Sequence, residues 1–256
     1  RTIFIAYYSI EGYRKLKKGI SIDWWERCQN ISNPGKFKEG IIEKISNMET
    51  ILREEGMKRS QKRIIKREIG IRKEYLKEVK ALENIKDQIL DWREILHVVM
   101  LPTATEPAEV IEPAIQAIAD SNFPNEQFII LLATEEREPE EKRMEKVNYL
   151  KNKFQGVFRD FIVTTHIVKG GEMKAKGSNA TFAAGELVRY LRDRKVDFKK
   201  VIFSNFDCDS VAHTQYFAAL TYEYITEPKR LQRSYQPLPM YHNNLWDTNA
   251  FVRIIV

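Results

Sequence analysis

The chain has two cysteines in 256 residues, Cys28 and Cys208, too few for a disulfide framework and without the spacing of a zinc site. Its four histidines, His97, His166, His213 and His242, are scattered. That leaves no basis for a histidine-bound metal or a Ser-His-Asp triad. No apolar run within these residues is long enough to cross a bilayer, and no internal repeat is evident. What is present is 43% hydrophobic content, enough to bury the core of one large domain or two small ones. The net charge is +6, and the cations gather early in the chain.

The first 95 residues differ from the rest. From Phe37 to Trp92 the sequence is charged, and Ile41, Ile45, Met48 and Leu52, then Tyr75, Val79, Leu82, Ile85, Ile89 and Trp92, are spaced for one apolar helix face. Between these sets lies a basic block: Lys58, Arg59, Lys62, Arg63, Lys66 and Arg67. It reads either as a solvated helix face or as a surface for an anionic membrane. Nucleic acid is not expected, because no stacking aromatics are interleaved with the charges. At the start, Thr2 to Ile10 is apolar and is followed by Tyr13, Arg14, Lys15, Lys17 and Lys18. This pattern fits the cytoplasmic end of a membrane helix, and equally an amphipathic helix packed on the rest of the chain.

A change of material occurs near Asp91 to Leu96, which predicts a helical region over 1–95 and a second domain over 96–256. Leu96 to Leu101 reads as a buried strand stopped by Pro102, and a helix follows with Val110, Ile111, Ile115, Ile118 and Ala119 on one face. Phe128 to Ala133 is a second buried strand. Thr134 to Arg143 then reads as a surface loop entering a helix. The glycine-punctuated segment Gly170 to Gly177 runs into another helical pattern at Ser178, and Val201 to Phe206 is a further strand. The alternation predicts an α/β sheet with parallel strands. Ala212 to Glu223 reads as a helix, and Arg230 to Met240 as a strand and its exit.

Two carboxylates end the strand that starts at Val201: Asp207 and Asp209, separated by Cys208. In extended backbone the residues at i and i+2 point the same way, so both can face one divalent cation. Oxygen ligands suit Mg²⁺ or Mn²⁺ rather than zinc. Taken alone, Asp-x-Asp is also what a solvated turn after a strand looks like.

In order and spacing, four segments resemble the family 2 glycosyltransferases of GT-A fold: Leu101-Pro102-Thr103-Ala104-Thr105-Glu106-Pro107, the Ser121-Asn122-Phe123-Pro124 turn, Lys176-Gly177-Ser178-Asn179, and Asp207-Cys208-Asp209. The likeness runs from Leu96 to Trp246. It implies a mixed, mainly parallel GT-A sheet flanked by helices, and a nucleotide-sugar donor, UDP-linked in expectation. By the resemblance, Pro102, Thr103 and Glu106 line the nucleoside pocket. Glu135 stands where the family usually has an aspartate for the base or ribose. Lys176 and Asn179 belong to the loop near the diphosphate, and Thr181 replaces a second asparagine. Asp207 and Asp209 hold the metal. An inverting transfer to a glycan or lipid-linked acceptor follows, on the cytoplasmic face of a membrane.

The departures are specific. Glu223, Glu227 and Asp247 are the acidic residues after Asp209, and none sits in the setting of the family's general base. No Gln-x-x-Arg-Trp motif is present. The expectation is therefore a donor-binding half, with catalytic base and acceptor site outside these residues. Two other readings stand beside it. A nucleotide-sugar nucleotidyltransferase needs a glycine-rich loop after the first strand, and Leu101 to Pro107 has no glycine. A non-catalytic scaffold would use the basic helices as its working part.

Overall fold

The computed structural model describes residues 2–54, 56–167 and 176–237. The chain divides into two compact units, one of residues 1–22 with 232–256 and the other of residues 23–231. In the first unit the described structure is a helix, α1 (Thr2–Ile20), the two residues leaving it, and residues 232–237. No helix among the described residues is long and apolar enough to cross a membrane.

The second unit opens with three helices: α2 (Trp24–Ile31), α3 (Pro34–Ile51) and α4 (Arg59–Glu83). Local chemistry sets their starts. Asp23 caps α2 by accepting from the Glu26 N–H at 2.9 Å, and Asn33 caps α3 with Pro34 at its first position. Helices α3 and α4 pack against each other. Buried Arg27 of α2 lies 3.5 Å from the Tyr75 ring centroid and pairs with Glu78 at 3.2 Å. Glu78 also accepts from the Tyr222 hydroxyl at 2.9 Å. This cluster ties α2 and α4 to α8 (Tyr216–Thr226). Residues 23–95 therefore share one unit with the sheet, across the boundary expected near residue 95.

The sheet has four strands: β1 (Leu96–Pro102), β2 (Phe128–Glu135), β3 (Asp160–His166) and β4 (Val201–Asn205). All neighbours are parallel and the order is β3-β2-β1-β4. The connecting helices are α5 (Ala108–Ala119), α6 (Glu140–Lys153) and α7 (Lys176–Asp193). This is a Rossmann-like α/β arrangement, a parallel sheet flanked by helices. Every residue of β1 and β2 is buried, as expected for central parallel strands covered on both faces. Alternate residues Leu96, Val98, Met100, Ile129, Leu131 and Ala133 form one core with Ala183, Leu187 and Leu191 of α7. On the opposite face α5 packs against α6, contributing Ile111, Ile115, Ile118, Val147 and Leu150 as buried side chains. Full burial of each such side chain contributes roughly 1.5–3 kcal/mol.

An aromatic knot closes the base of the sheet. His97 stacks on Phe128 at 5.3 Å and meets Phe123 and Phe217 edge-on at 5.0 and 5.3 Å. Its Nε2 lies 2.7 Å from the Thr221 hydroxyl. Complete burial pushes the imidazole pKa down to about 3.

Two expectations are corrected. Thr134 and Glu135 continue β2 rather than opening a surface loop, because they pair with Thr165 and His166 of β3 and are buried. Arg230 to Gln232 forms a 3-10 turn rather than the start of a strand. The reason is the Arg230 guanidinium, which folds back to donate to Tyr224 O at 2.9 Å, Ile225 O at 3.1 Å and Gln88 O at 2.5 Å. The bonds to Tyr224 O and Ile225 O satisfy carbonyls at the end of α8. Residues 233–237 have no regular structure, and the remainder of that expected strand lies outside the described residues.

Candidate functional site

The chain leaves β1 toward β2 and β3 on one side, yet β4 joins β1 on the other. At such a reversal the loops after the two strands diverge and leave a crevice at their carboxyl ends. The Met100↔Asn205 pairing and the bond from Phe206 N–H to Met100 O at 2.9 Å carry the ladder to that edge. The two loops that leave the strands at this reversal are residues 103–107 after β1 and 206–215 after β4.

The loop after β4 keeps the strand's alternation. Asp207 and Asp209 are exposed and Cys208 between them is buried. A bond from Ser210 N–H to Asp207 O at 2.9 Å closes the turn. No set of three or more His, Cys, Asp and Glu side chains that could hold a metal occurs among the described residues. Two exposed carboxylates fit Mg²⁺ or Mn²⁺ of the kind held by one or two protein oxygens, with water and substrate phosphate completing the shell. They do not fit a closed protein cage.

The loop after β1 is internally braced. Glu106 Oε2 accepts from the Thr103 hydroxyl at 2.9 Å, the Ala104 N–H at 2.6 Å and the Thr105 N–H at 3.1 Å. Burial pushes the Glu106 carboxyl up, but these backbone and hydroxyl donors outweigh it and hold the group below the usual carboxylate range. Glu106 thus shapes the loop that was expected to meet the nucleoside. Pro102 and Thr103 are buried at its root, and Thr103 N–H donates to Ala133 O at 2.8 Å.

Beneath this loop lies a buried ion pair that the sequence reading missed. Lys146 of α6 and Glu138 of the β2–α6 loop approach to 2.6 Å, with side chains 4% and 6% exposed. Lys146 Nζ also donates to Glu106 O at 3.0 Å and reaches the Thr103 hydroxyl at 3.4 Å. One cation therefore joins the loops after β1 and β2. The only signal in the sequence is that Lys146 precedes buried Leu150 by four residues, which places it on the inward stripe of α6.

Glu135 sits at the carboxyl end of β2, 3% exposed. Its Oε2 pairs with Arg137 Nε at 2.5 Å. Arg143 donates to Glu138 O at 3.0 Å and Glu135 O at 3.5 Å, fixing the same corner. Asn179, in the first turn of α7, is 1% exposed. Its Nδ2 donates to Ala133 O at 2.8 Å and Thr103 O at 3.4 Å. Asn179 consequently anchors the first turn of α7 at the ends of β1 and β2. Thr181 donates to Gly177 O at 2.8 Å within the helix. The backbone of Lys176 begins α7, and the glycine-rich stretch before it lies outside the described residues.

The structure thus groups Pro102, Thr103, Glu106, Glu135 and Asn179 around the ends of β1 and β2, and sets Asp207 and Asp209 on the neighbouring loop after β4. Glu223 and Glu227 are at the far end of α8. No family model, curated protein or solved structure matches this chain.

Proposed function

We propose that this chain is a glycosyltransferase domain of GT-A type that binds a nucleotide-diphosphate sugar, UDP-linked in expectation, with Mg²⁺ or Mn²⁺. The observation that carries the reading is the exposed pair Asp207 and Asp209 on the loop leaving β4, at the point where the strand order reverses. An exposed carboxylate pair in a solvated turn has no need of that address. The braced loop from Thr103 to Glu106 supplies the nucleoside side of the crevice, and the α7 N-terminus with Lys176 supplies the diphosphate side. When bound, the cation offsets negative charge on the leaving nucleotide. The acceptor is a hydroxyl of a glycan or lipid-linked sugar, attacked in line with inversion. No described residue is assigned as the general base.

Calorimetry with UDP, in the presence of Mn²⁺ and then of a chelator, tests the reading. UDP binding is expected to require the metal. Asp207→Asn and Asp209→Asn are each expected to abolish the metal-dependent part while leaving the melting temperature within about 2 °C, because exposed substitutions usually change stability by less than about 0.5 kcal/mol. Metal-independent binding that both variants retain would remove the proposed role.

A further inference from the structure

Helices α3 and α4 pack as a pair whose outer end carries no core. The buried residues of α3 are Pro34, Ile41 and Ile45, and those of α4 are Ile69, Tyr75, Val79 and Leu82. Beyond Ile45 and before Ile69, nothing described on this hairpin is buried. This outer end holds Lys58, Arg59, Lys62, Arg63, Lys66 and Arg67. All are exposed except Lys62, which is half-buried.

Three features set these cations apart. Closer to the body, Arg72 pairs with Glu68 and Lys73 with Glu49. Among the described residues none of the six at the outer end is in such a pair. The spacing also places like charges four apart, Lys58 with Lys62, Arg59 with Arg63, Lys62 with Lys66 and Arg63 with Arg67, which destabilises a helix. Finally, the first turn of α4 has no acidic residue, so positive charge sits at the end where the helix dipole is already positive. A sequence that breaks three local rules at one place signals a demand from outside the fold.

The geometry specifies that demand. At about 100° per residue, Arg59, Arg63, Lys66 and Arg67 fall within an arc of roughly 100°, on the side of α4 away from its buried stripe. Ile64, 67% exposed, lies about 60° beyond the arc, in line with Tyr75 and Leu82, so it continues the apolar stripe past the end of the core, and Ile51 at the end of α3 is 40% exposed. Exposed aliphatic side chains and a cationic arc on one helix end suit a surface with anionic groups above hydrocarbon. The aliphatic residues gain nothing from phosphates, and on a single-stranded nucleic acid aromatics would be needed to stack on the bases, whereas residues 51–67 contain none. We infer that the outer end of the α3–α4 hairpin docks on an anionic lipid bilayer. The inference is independent of the activity proposed for the sheet.

Flotation of the full chain with phosphatidylcholine vesicles, with and without phosphatidylserine, tests it. Binding is expected only with the anionic lipid and falls as salt rises. The variant Lys62→Gln/Arg63→Gln/Lys66→Gln/Arg67→Gln should weaken binding by about fivefold per charge, several-hundredfold in all. Glutamine keeps helix propensity close to that of lysine and arginine, and circular dichroism checks that α4 persists. Arg63→Lys/Arg67→Lys, which retains charge, should bind as the parent does. Equal binding to neutral vesicles, undiminished binding by the glutamine variant, or tighter binding to duplex or single-stranded RNA at the same salt would each overturn the inference.

Discussion

Replacing Lys146 by methionine isolates the ion pair under the β1 loop. The substitution keeps the length and most of the volume of the side chain but removes Nζ. It strands the Glu138 carboxylate, whose side chain is 6% exposed, and deprives Glu106 O of its 3.0 Å donor. Breaking a buried pair from one side costs about 3–5 kcal/mol, because the surviving charge has neither water nor partner. For a domain of this size that lowers the melting temperature by roughly 6–20 °C. The double variant Lys146→Met/Glu138→Gln carries no buried charge and should recover most of the loss, giving a coupling of about 2–3 kcal/mol. Urea titrations of the parent, both single variants and the double variant measure these terms, with an unchanged m-value as the check that the unfolded state is the same. If Lys146→Met costs less than about 1 kcal/mol, or the double variant costs the sum of the singles, the pair does not hold the two loops together.

Acid should reveal His97. Its folded pKa of about 3 lies below the ordinary 6.5, so the unfolded chain binds the proton first. Its contribution is complete above 6.5 and is lost as pH falls from there toward 3, at up to about 1.4 kcal/mol per pH unit. Urea titrations of His97→Gln should show a shallower dependence over that interval; an identical slope would mean another group carries it. Burial also pushes the Cys28 thiol up to about 12, and its Sγ lies 3.1 Å from Ala218 O. Because the thiolate is the reactive form, mass spectrometry after iodoacetamide treatment of the native protein should find Cys28 unmodified, with rapid labelling only in denaturant.

What the sequence made legible follows from what burial does to a pattern. Strands β1 and β2 are covered on both faces, so they appear as unbroken apolar runs. The Asp207-Cys208-Asp209 turn was readable because alternation persists for a few residues past β4. The interior polar network was not. Lys146 and Glu138 look like surface charges in a charged segment, and only the fold brings their elements together beneath one loop. Glu106 and Asn179 were expected to face a ligand, whereas Glu106 Oε2 and Asn179 Nδ2 bond to backbone and a neighbouring hydroxyl. A residue type suited to a site is equally suited to building the wall of that site, and spacing does not distinguish the two. The expected strand after Arg230 failed for a related reason, since the arginine side chain satisfies carbonyls at the end of α8 instead of projecting from a sheet.

The strand order also has a consequence in time. Strands β1, β2 and β3 follow one another along the chain and each pairs with the next, so their three-stranded part of the sheet assembles from neighbouring segments. Strand β4 pairs with β1, which preceded it by about a hundred residues, and closing that large loop comes at an entropic cost before any contact repays it. During synthesis the ribosome delivers β1 through β3 first. The edge of β1 that will receive β4 is then an open row of backbone donors and acceptors. The crevice, which needs a loop from each strand, comes into existence only with that last pairing, so a nascent or partly folded chain has no place to hold a ligand. A ligand bound there would favour the completed sheet by mass action, protecting the step that is slowest to form.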